Sequence, residues 1–208
     1  MESPVRIPKL SGYTIFTIWI LAVCIGFFFL EKYKSTPGKA GTEFKVLPPQ
    51  SEIDLSDKPY TLVMFGHPKC PCSRASLVEL EKLMSVYSKN FGIKIIFYHP
   101  KTATPDWFET DIVAKAKSLP DVKVTFDPDG RLANIIGART SGMTYVFDKQ
   151  RRQIFMGGIT GSRGHEGEND GTRSIASIAE TGKPILTTTK VFGCSLFKSD
   201  GRLTSTIE

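Results

Sequence analysis

Two closely spaced cysteines are the residues of this sequence whose types and spacing most clearly predict chemistry. Cys70 and Cys72 stand in HPKCPCSR, residues 67–74, directly after the apolar run YTLVMFG. Such a pair serves as a redox couple, as one nucleophile with a helper thiol, or as two ligands of a soft metal ion. Buried structural cysteines seldom stand as a pair at a strand-to-helix turn, so we expect a reactive or ligand-binding role.

Two distant residues are candidates for the same site. His165 lies in GGITGSRGHEGEN, within a stretch that has six glycines between residues 157 and 171, and Cys194 lies in VFGCSLF near the C-terminus. The plainer alternatives are that His165 caps a loop and that Cys194 is a small buried apolar residue. His67 precedes a proline and is predicted to shape its turn.

Composition excludes several classes of protein. The chain has 208 residues, 40% hydrophobic content, four cysteines and a formal net charge of +6. This length accommodates one ordinary domain with appendages, and four cysteines are too few for a disulfide scaffold. Lysine and arginine are scattered along the sequence, and the pattern therefore predicts no nucleic-acid partner.

An uncharged segment near the N-terminus predicts a membrane anchor. Tyr13 to Leu30, YTIFTIWILAVCIGFFFL, has 18 residues. As a helix it spans ~27 Å, close to the thickness of a bilayer core. The apolar core of a cleaved signal peptide is shorter, about 7 to 15 residues. We therefore predict an uncleaved transmembrane helix over residues 13–30, after a flank over residues 1–12, with Cys24 as an ordinary apolar residue inside it.

The rest of the chain alternates predicted strands and helices. After a Pro- and Gly-rich linker over residues 31–56, we predict a domain over residues 57–182 and a C-terminal tail over residues 183–208. The predicted strands are 60–65, 93–98 and 122–126, followed by a hairpin in TYVFDKQRRQIFMGG. The first two predicted helices are 73–90 and a helix that starts at Thr104 and ends before Pro120. A short helix in LANIIG follows, and a last helix, in DGTRSIASIAETGK, is ended by Gly182. This alternation predicts an α/β sandwich around a mixed sheet.

The strand TLVMFGHPKCPCS leading into a helix resembles the active-site entry of the thioredoxin superfamily. FDPDGRLANIIGARTSGMTYVFDKQRRQIFMGG is similar to the middle and hairpin of its peroxiredoxin-like and cytochrome-maturation branches. The whole pattern, with GGITGSRGHEGEN and VFGCSLF, also resembles the membrane-anchored RedB-like group. The resemblance implies a thioredoxin-like fold, a protein thiol or disulfide as substrate, and an inner-membrane protein with a periplasmic domain.

Two departures from that family affect the mechanism. The family usually has Cys-x-x-Cys, whereas this chain has Cys70-Pro71-Cys72. The family also has a cis-proline at the start of the hairpin, where Gly142 stands in this chain. Without the proline ring there is space beside the predicted position of the sulfurs. A metal ion could occupy that space, so a metal-binding function stays an alternative to a redox function.

Topology predicts that the candidate residues meet. The returning hairpin strand brings the glycine-rich loop to the thiol end of the sheet. The 12 residues from Lys183 to Cys194 reach roughly 36 Å when extended, more than the ~20 Å length of the last helix.

Two functions fit this arrangement. The first is a membrane-anchored thiol-disulfide oxidoreductase without cofactor. Cys70 would attack the substrate disulfide, because a helix N-terminus favours its thiolate. Cys72 or Cys194 would then resolve the mixed disulfide, and His165 would transfer protons. The alternative is a copper, zinc or iron–sulfur protein that assists respiratory or cytochrome assembly. Its ligands would be Cys70, Cys72, and Cys194 or His165.

Overall fold

The computed structural model describes residues 12–197, which form two units. The first unit contains helix α1, Gly12–Ser35, whose 24 residues include no buried side chain. By length and composition this helix can cross a membrane. It extends beyond the predicted span of residues 13–30 at both ends.

A five-stranded mixed sheet is the centre of the second unit, which begins at Thr36. The strands are β1 (Tyr60–Gly66), β2 (Phe91–His99), β3 (Val122–Pro128), β4 (Met143–Asp148) and β5 (Gln153–Gly157). Their order is β3-β2-β1-β4-β5. Strands β1, β2 and β3 run parallel, whereas β4 is antiparallel to β1 and to β5. The predicted mixed sheet and its closing hairpin are confirmed.

Helices cover both faces of this sheet. They are α2 (Pro71–Tyr87), α3 (Asp111–Ser118), α4 (Arg131–Ile136) and α5 (Asp170–Thr181). Helices α2, α3 and α5 pack on one face through an apolar cluster that includes Leu77, Val113 and Ile178. Helix α4 packs on the other face together with parts of the segments 44–55 and 191–197. This is the thioredoxin-like sandwich that the resemblance implied, and the fold prediction is confirmed.

The helix predicted from Thr104 is divided in the structure. A short 3-10 turn, Pro105–Trp107, comes first, and α3 begins only at Asp111. The Trp107 indole is buried and donates to the Tyr98 carbonyl at 2.8 Å. The Thr110 side chain then caps α3 by accepting from the Val113 N–H at 3.2 Å. The buried indole and the second cap together explain the break.

Parts of the predicted linker and tail pack on the domain. Helix α1 continues to Ser35, and the described residues from Thr36 onward belong to the second unit. The reason is burial of apolar side chains, because Leu47 is 0% exposed and Leu196 in the tail is also 0% exposed. Residues 1–11 of the predicted flank and residues 198–208 of the tail lie outside the described residues.

Candidate three-cysteine site

The turn between β1 and α2 holds the first sulfur at a helix N-terminus. Cys70 is the N-cap of α2 in an extended conformation, and Pro71 takes the first helical position, for which its fixed φ is suited. The Cys70 N–H donates to the His67 carbonyl at 3.1 Å, and the Ser73 N–H donates to the Cys70 carbonyl at 2.9 Å. The Cys70 side chain is fully buried. The helix N-terminus therefore faces a thiol that is shielded from water.

The C-terminal tail reaches the same turn through backbone pairing. The Ser141 N–H donates to the Cys194 carbonyl at 2.8 Å, and the Leu196 N–H donates to the Arg139 carbonyl at 3.0 Å. Gly193 approaches Ser141 so closely that an added Cβ would lie 2.0 Å from the Ser141 carbonyl oxygen. We call residues 193–196 the tail strand. This close antiparallel approach fixes the position of Cys194.

Three cysteine sulfurs meet as a result. The Sγ atoms of Cys70, Cys72 and Cys194 all lie within 4.8 Å of one another. Cys70 and Cys72 are buried, whereas Cys194 is partly exposed, and none of the three is in a disulfide. The structure therefore brings together the three sulfurs that the sequence singled out, although the chemical role of each stays a prediction.

Hydrogen bonds among the thiols distribute the negative charge unequally. The pKa of Cys70 is lowered far below its ordinary value because Cys194 and Cys72 donate to its sulfur, against the opposing effect of burial. The pKa of Cys194 is raised because it donates to Cys70 and to Cys72 and is partly desolvated. These hydrogen bonds therefore favour the thiolate at Cys70 over the thiolate at Cys194.

The pKa of Cys72 is also raised, as the net result of opposing effects from its neighbours. The hydrogen bond from Cys194 lowers it, but the bond to Cys70, burial and the charge of Cys70 together raise it. The positive charge of Arg163 acts in the lowering direction. This balance favours the protonated form of Cys72 beside an ionised Cys70.

His165 does not join the sulfurs. Its side chain is exposed, and it is outside the group of metal-ligating atoms found among the described residues. The loop around it is held on α2, since the Gly167 N–H donates to the buried Glu79 carboxylate at 2.9 Å. Glu166 lies 4.0 Å from Lys82 of the same helix. These contacts place His165 at the surface, and of the two alternatives for the third ligand the structure brings Cys194, not His165, to the other sulfurs.

Arg163, in the same loop, belongs to the site although its sequence context did not predict it. Its guanidinium donates to the Gly193 carbonyl in the tail strand and, at 3.3 Å, to the Thr36 carbonyl. It thus holds the tail strand and supplies positive charge near Cys72. The sequence signal for this role was a positively charged residue in a glycine-rich loop. The hydrogen-bond partners of Arg163 are backbone carbonyls, which no sequence pattern identifies.

Ser141 links the two segments that carry the sulfurs. Its hydroxyl accepts from the His67 N–H at 2.8 Å and shares a 2.6 Å hydrogen bond with the Ser73 hydroxyl. His67 is fully buried, and its Nδ1 accepts from the Lys69 N–H at 3.1 Å. His67 therefore shapes the turn, as its place before a proline predicted.

Gly142 takes the position where the resemblance implies a cis-proline, and no cis peptide bond occurs among residues 12–197. Its φ is +90°, and its N–H donates to the Phe65 carbonyl at 2.8 Å. An added Cβ would lie 2.9 Å from the Ser76 hydroxyl. The positive φ explains why glycine occupies this position. The preceding residue, Ser141, is hydrogen-bonded to the tail strand.

Comparison with solved structures supports the fold. The chain is similar to a hypothetical protein from Sinorhizobium meliloti 1021, with 22% identity, 80% of this chain and 96% of that chain covered, and a TM-score of 0.57. It is also similar to an uncharacterised conserved protein from Geobacillus kaustophilus, with 20% identity, 78% and 92% coverage, and a TM-score of 0.56.

A more distant likeness, with a TM-score of 0.42 and 15% identity, is to the exposed lipoprotein thioredoxin Etrx1 from Streptococcus pneumoniae strain TIGR4. It covers 67% of this chain and 98% of that chain. No protein-family model matches the sequence, and no curated protein matches it. The order and directions of the strands confirm the thioredoxin-like fold, whereas membership of the RedB-like group is not confirmed.

Proposed function

We propose that this protein is a membrane-anchored thiol-disulfide oxidoreductase in which Cys70 is the attacking thiol. One observation carries the proposal: the buried Cys70 sulfur, at the N-terminus of α2, accepts hydrogen bonds from two further thiols. A thiolate is the nucleophile in thiol-disulfide exchange, and these donors stabilise it before a substrate arrives. The neighbouring thiols can then complete the exchange without a cofactor.

Helix α1 supports the membrane anchor. It is apolar and long enough to span a bilayer core. We place the thioredoxin-like domain outside the cytoplasmic membrane, where disulfides form and persist, and we assign a protein thiol or disulfide as its substrate. His165 keeps a role only in proton transfer through solvent, because its side chain is exposed.

The experiment that tests this function measures disulfide exchange by the full-length protein in detergent. The protein, reduced beforehand, is incubated with a disulfide-bonded model protein, and the thiols released on the model protein are alkylated and counted by mass spectrometry over time. We expect release by the unchanged protein and its loss in Cys70→Ser. Cys24→Ser is the matched control, since Cys24 lies in α1 and should leave the rate unchanged. Equal rates for Cys70→Ser and the unchanged protein would refute the proposal.

A metal site is the second candidate function, and the sulfur cluster is the observation that favours it. Three sulfurs within 4.8 Å of one another form a soft donor set, which suits copper(I) or zinc. Cys70, Cys72 and Cys194 would hold the ion, which would serve as cargo or as a structural group. An iron–sulfur cluster fits less well, because such clusters usually have four protein ligands.

Metal titration separates the two candidates. Reduced protein is titrated with copper(I) or zinc against a competing chelator. A metal protein should bind one ion per chain, lose that ion in Cys194→Ser and keep it in His165→Ala. An oxidoreductase should bind neither ion tightly, whereas the exchange assay should still depend on Cys70.

A further inference from the structure

The tail strand brings a thiol from a distant part of the chain to Cys70. Ser141 and Arg139 hold it by backbone hydrogen bonds, and Arg163 donates to the Gly193 carbonyl. Thr140 and Ser195 also pair as an antiparallel bridge. Cys194 therefore lies on extended chain whose backbone is anchored on either side of it, while its side chain stays partly exposed.

Cys72 has a different relation to Cys70. It lies in the first turn of α2, directly after Pro71, whose ring fixes the backbone φ. The Ser73 N–H to Cys70 carbonyl bond closes this turn. A Cys70–Cys72 disulfide would close a very small ring with a single proline between the cysteines. Because the fixed φ of Pro71 limits how far the backbone can adjust, drawing the two sulfurs to the bonded distance of about 2 Å would distort the first turn.

We propose that Cys194 is the resolving thiol, so that the oxidised protein carries a Cys70–Cys194 disulfide while Cys72 stays a thiol. The inference rests on the proposed exchange function and assigns the second cysteine of that reaction. Cys70 and Cys194 lie on separate segments, and side-chain rotation can join sulfurs that already lie within 4.8 Å. Cys72 then acts as a positioning residue that donates to the Cys70 thiolate.

The reaction proceeds in two exchanges with a substrate disulfide R–S–S–R′. The Cys70 thiolate attacks one sulfur, forms Cys70–S–S–R and releases R′–S⁻, which takes up a proton. Cys194, after transferring its proton to solvent, attacks the Cys70 sulfur, forms Cys70–Cys194 and releases R–S⁻, which is protonated in turn. Two protein thiols are oxidised and the substrate disulfide is reduced to two thiols; an external dithiol then restores the protein.

The order of these steps follows from the hydrogen bonds among the sulfurs. While Cys70 is a thiolate, the Cys194 thiol donates to it, and this bond is the largest cause of the raised pKa of Cys194. Once Cys70 is part of a mixed disulfide, its negative charge is gone and that cause is removed. Cys194 therefore becomes a better nucleophile after the first exchange and not before it.

Mapping the disulfides of the oxidised full-length protein tests this assignment. Reduced protein is treated with glutathione disulfide, quenched with acid, alkylated and analysed by peptide mass spectrometry. We expect a Cys70–Cys194 disulfide with Cys72 alkylated. Cys194→Ser should accumulate glutathione on Cys70, whereas Cys72→Ser should still form the Cys70–Cys194 bond.

The possible failures are distinguishable. A Cys70–Cys72 disulfide in the unchanged protein would overturn the role of Cys194 and leave the exchange function in place. If Cys194→Ser still resolves the glutathione adduct on Cys70, the role of Cys194 is likewise overturned and the exchange function is left in place. Absence of any adduct or disulfide at Cys70 in every protein tested would overturn both the inference and the proposed function. The mapping of the unchanged protein does not depend on whether a variant folds.

Discussion

Ser141 is hydrogen-bonded to Cys194 through its backbone and to the Cys70 turn through its side chain. Its N–H donates to the Cys194 carbonyl at 2.8 Å, and its hydroxyl accepts from the His67 N–H at 2.8 Å. Ser141, two residues before the start of β4, thus holds both segments that carry the sulfurs. The three-thiol cluster is a product of this tertiary contact rather than of the Cys-Pro-Cys sequence alone.

Removal of the Ser141 hydroxyl should destabilise the turn. Ser141→Ala leaves the buried His67 N–H without this acceptor and also removes the bond to Ser73. A buried polar group left without a partner costs about 1–3 kcal/mol, and we expect the free energy of unfolding to fall by this amount in a denaturant titration. Ser85→Ala is the control, since Ser85 is exposed and donates to the Lys82 carbonyl. Equal stabilities of the two variants would contradict this account.

Addition of a methyl group at Gly193 should displace the tail strand. The added Cβ would lie 2.0 Å from the Ser141 carbonyl oxygen, so the two segments must separate. We expect Gly193→Ala to expose Cys194 and to increase its rate of labelling by a maleimide in the reduced protein. Gly161→Ala is the matched control, because its added Cβ finds its nearest atoms at 3.9 Å. An unchanged labelling rate in Gly193→Ala would show that the tail strand is not held by this contact.

The elements of the domain could be predicted because their signals are local. Apolar runs such as YTLVMFG predicted the buried strands, and Gly182, with a φ of +79°, ends α5 as predicted. Chain length past the last helix was enough to predict that Cys194 can return to the thiols. These inferences depend on periodicity, capping and reach, which a single sequence contains.

The remaining features depend on tertiary contacts that have no local signal. Leu47 stands in the short segment FKVLPPQ, which is too short to show a strand or helix periodicity and runs into two prolines, so its burial against the sheet could not be predicted from the sequence. Arg163 and Ser141 act through bonds to backbone atoms of distant segments. His165 was predicted in the site because its loop begins there, but the Glu79 carboxylate binds that loop to α2.

The reactivity of Cys70 should persist at low pH. Its pKa is lowered chiefly by the hydrogen bond from Cys194, so the thiolate fraction, which rises with pH, reaches its plateau well below the ordinary thiol pKa of about 8.5. We expect iodoacetamide to alkylate Cys70 at mildly acidic pH at nearly its rate at neutral pH. Cys72 and Cys194, whose pKa values are raised, should react only as the pH increases.

Two substitutions of Cys194 test the cause of that shift. Cys194→Ala removes the donor, and the pH profile of Cys70 alkylation should move to higher pH. Cys194→Ser keeps a hydroxyl that can donate, and its profile should move less. Identical profiles for the two variants would show that the donor does not set the pKa of Cys70.

The segment before β1 should contribute to the stability of the domain. Leu47 is 0% exposed and packs in the apolar cluster on the α4 face of the sheet, and its N–H donates to the Arg151 carbonyl at 2.8 Å. Truncation of a buried leucine to alanine costs about 2–5 kcal/mol, so Leu47→Ala should lower the free energy of unfolding by that amount. The adjacent Val46→Ala is the control, because Val46 is 52% exposed and its change should lie within about 0.5 kcal/mol. Chemical denaturation of the full-length protein in detergent gives both values. A small effect at Leu47 would instead favour the predicted tether over this segment.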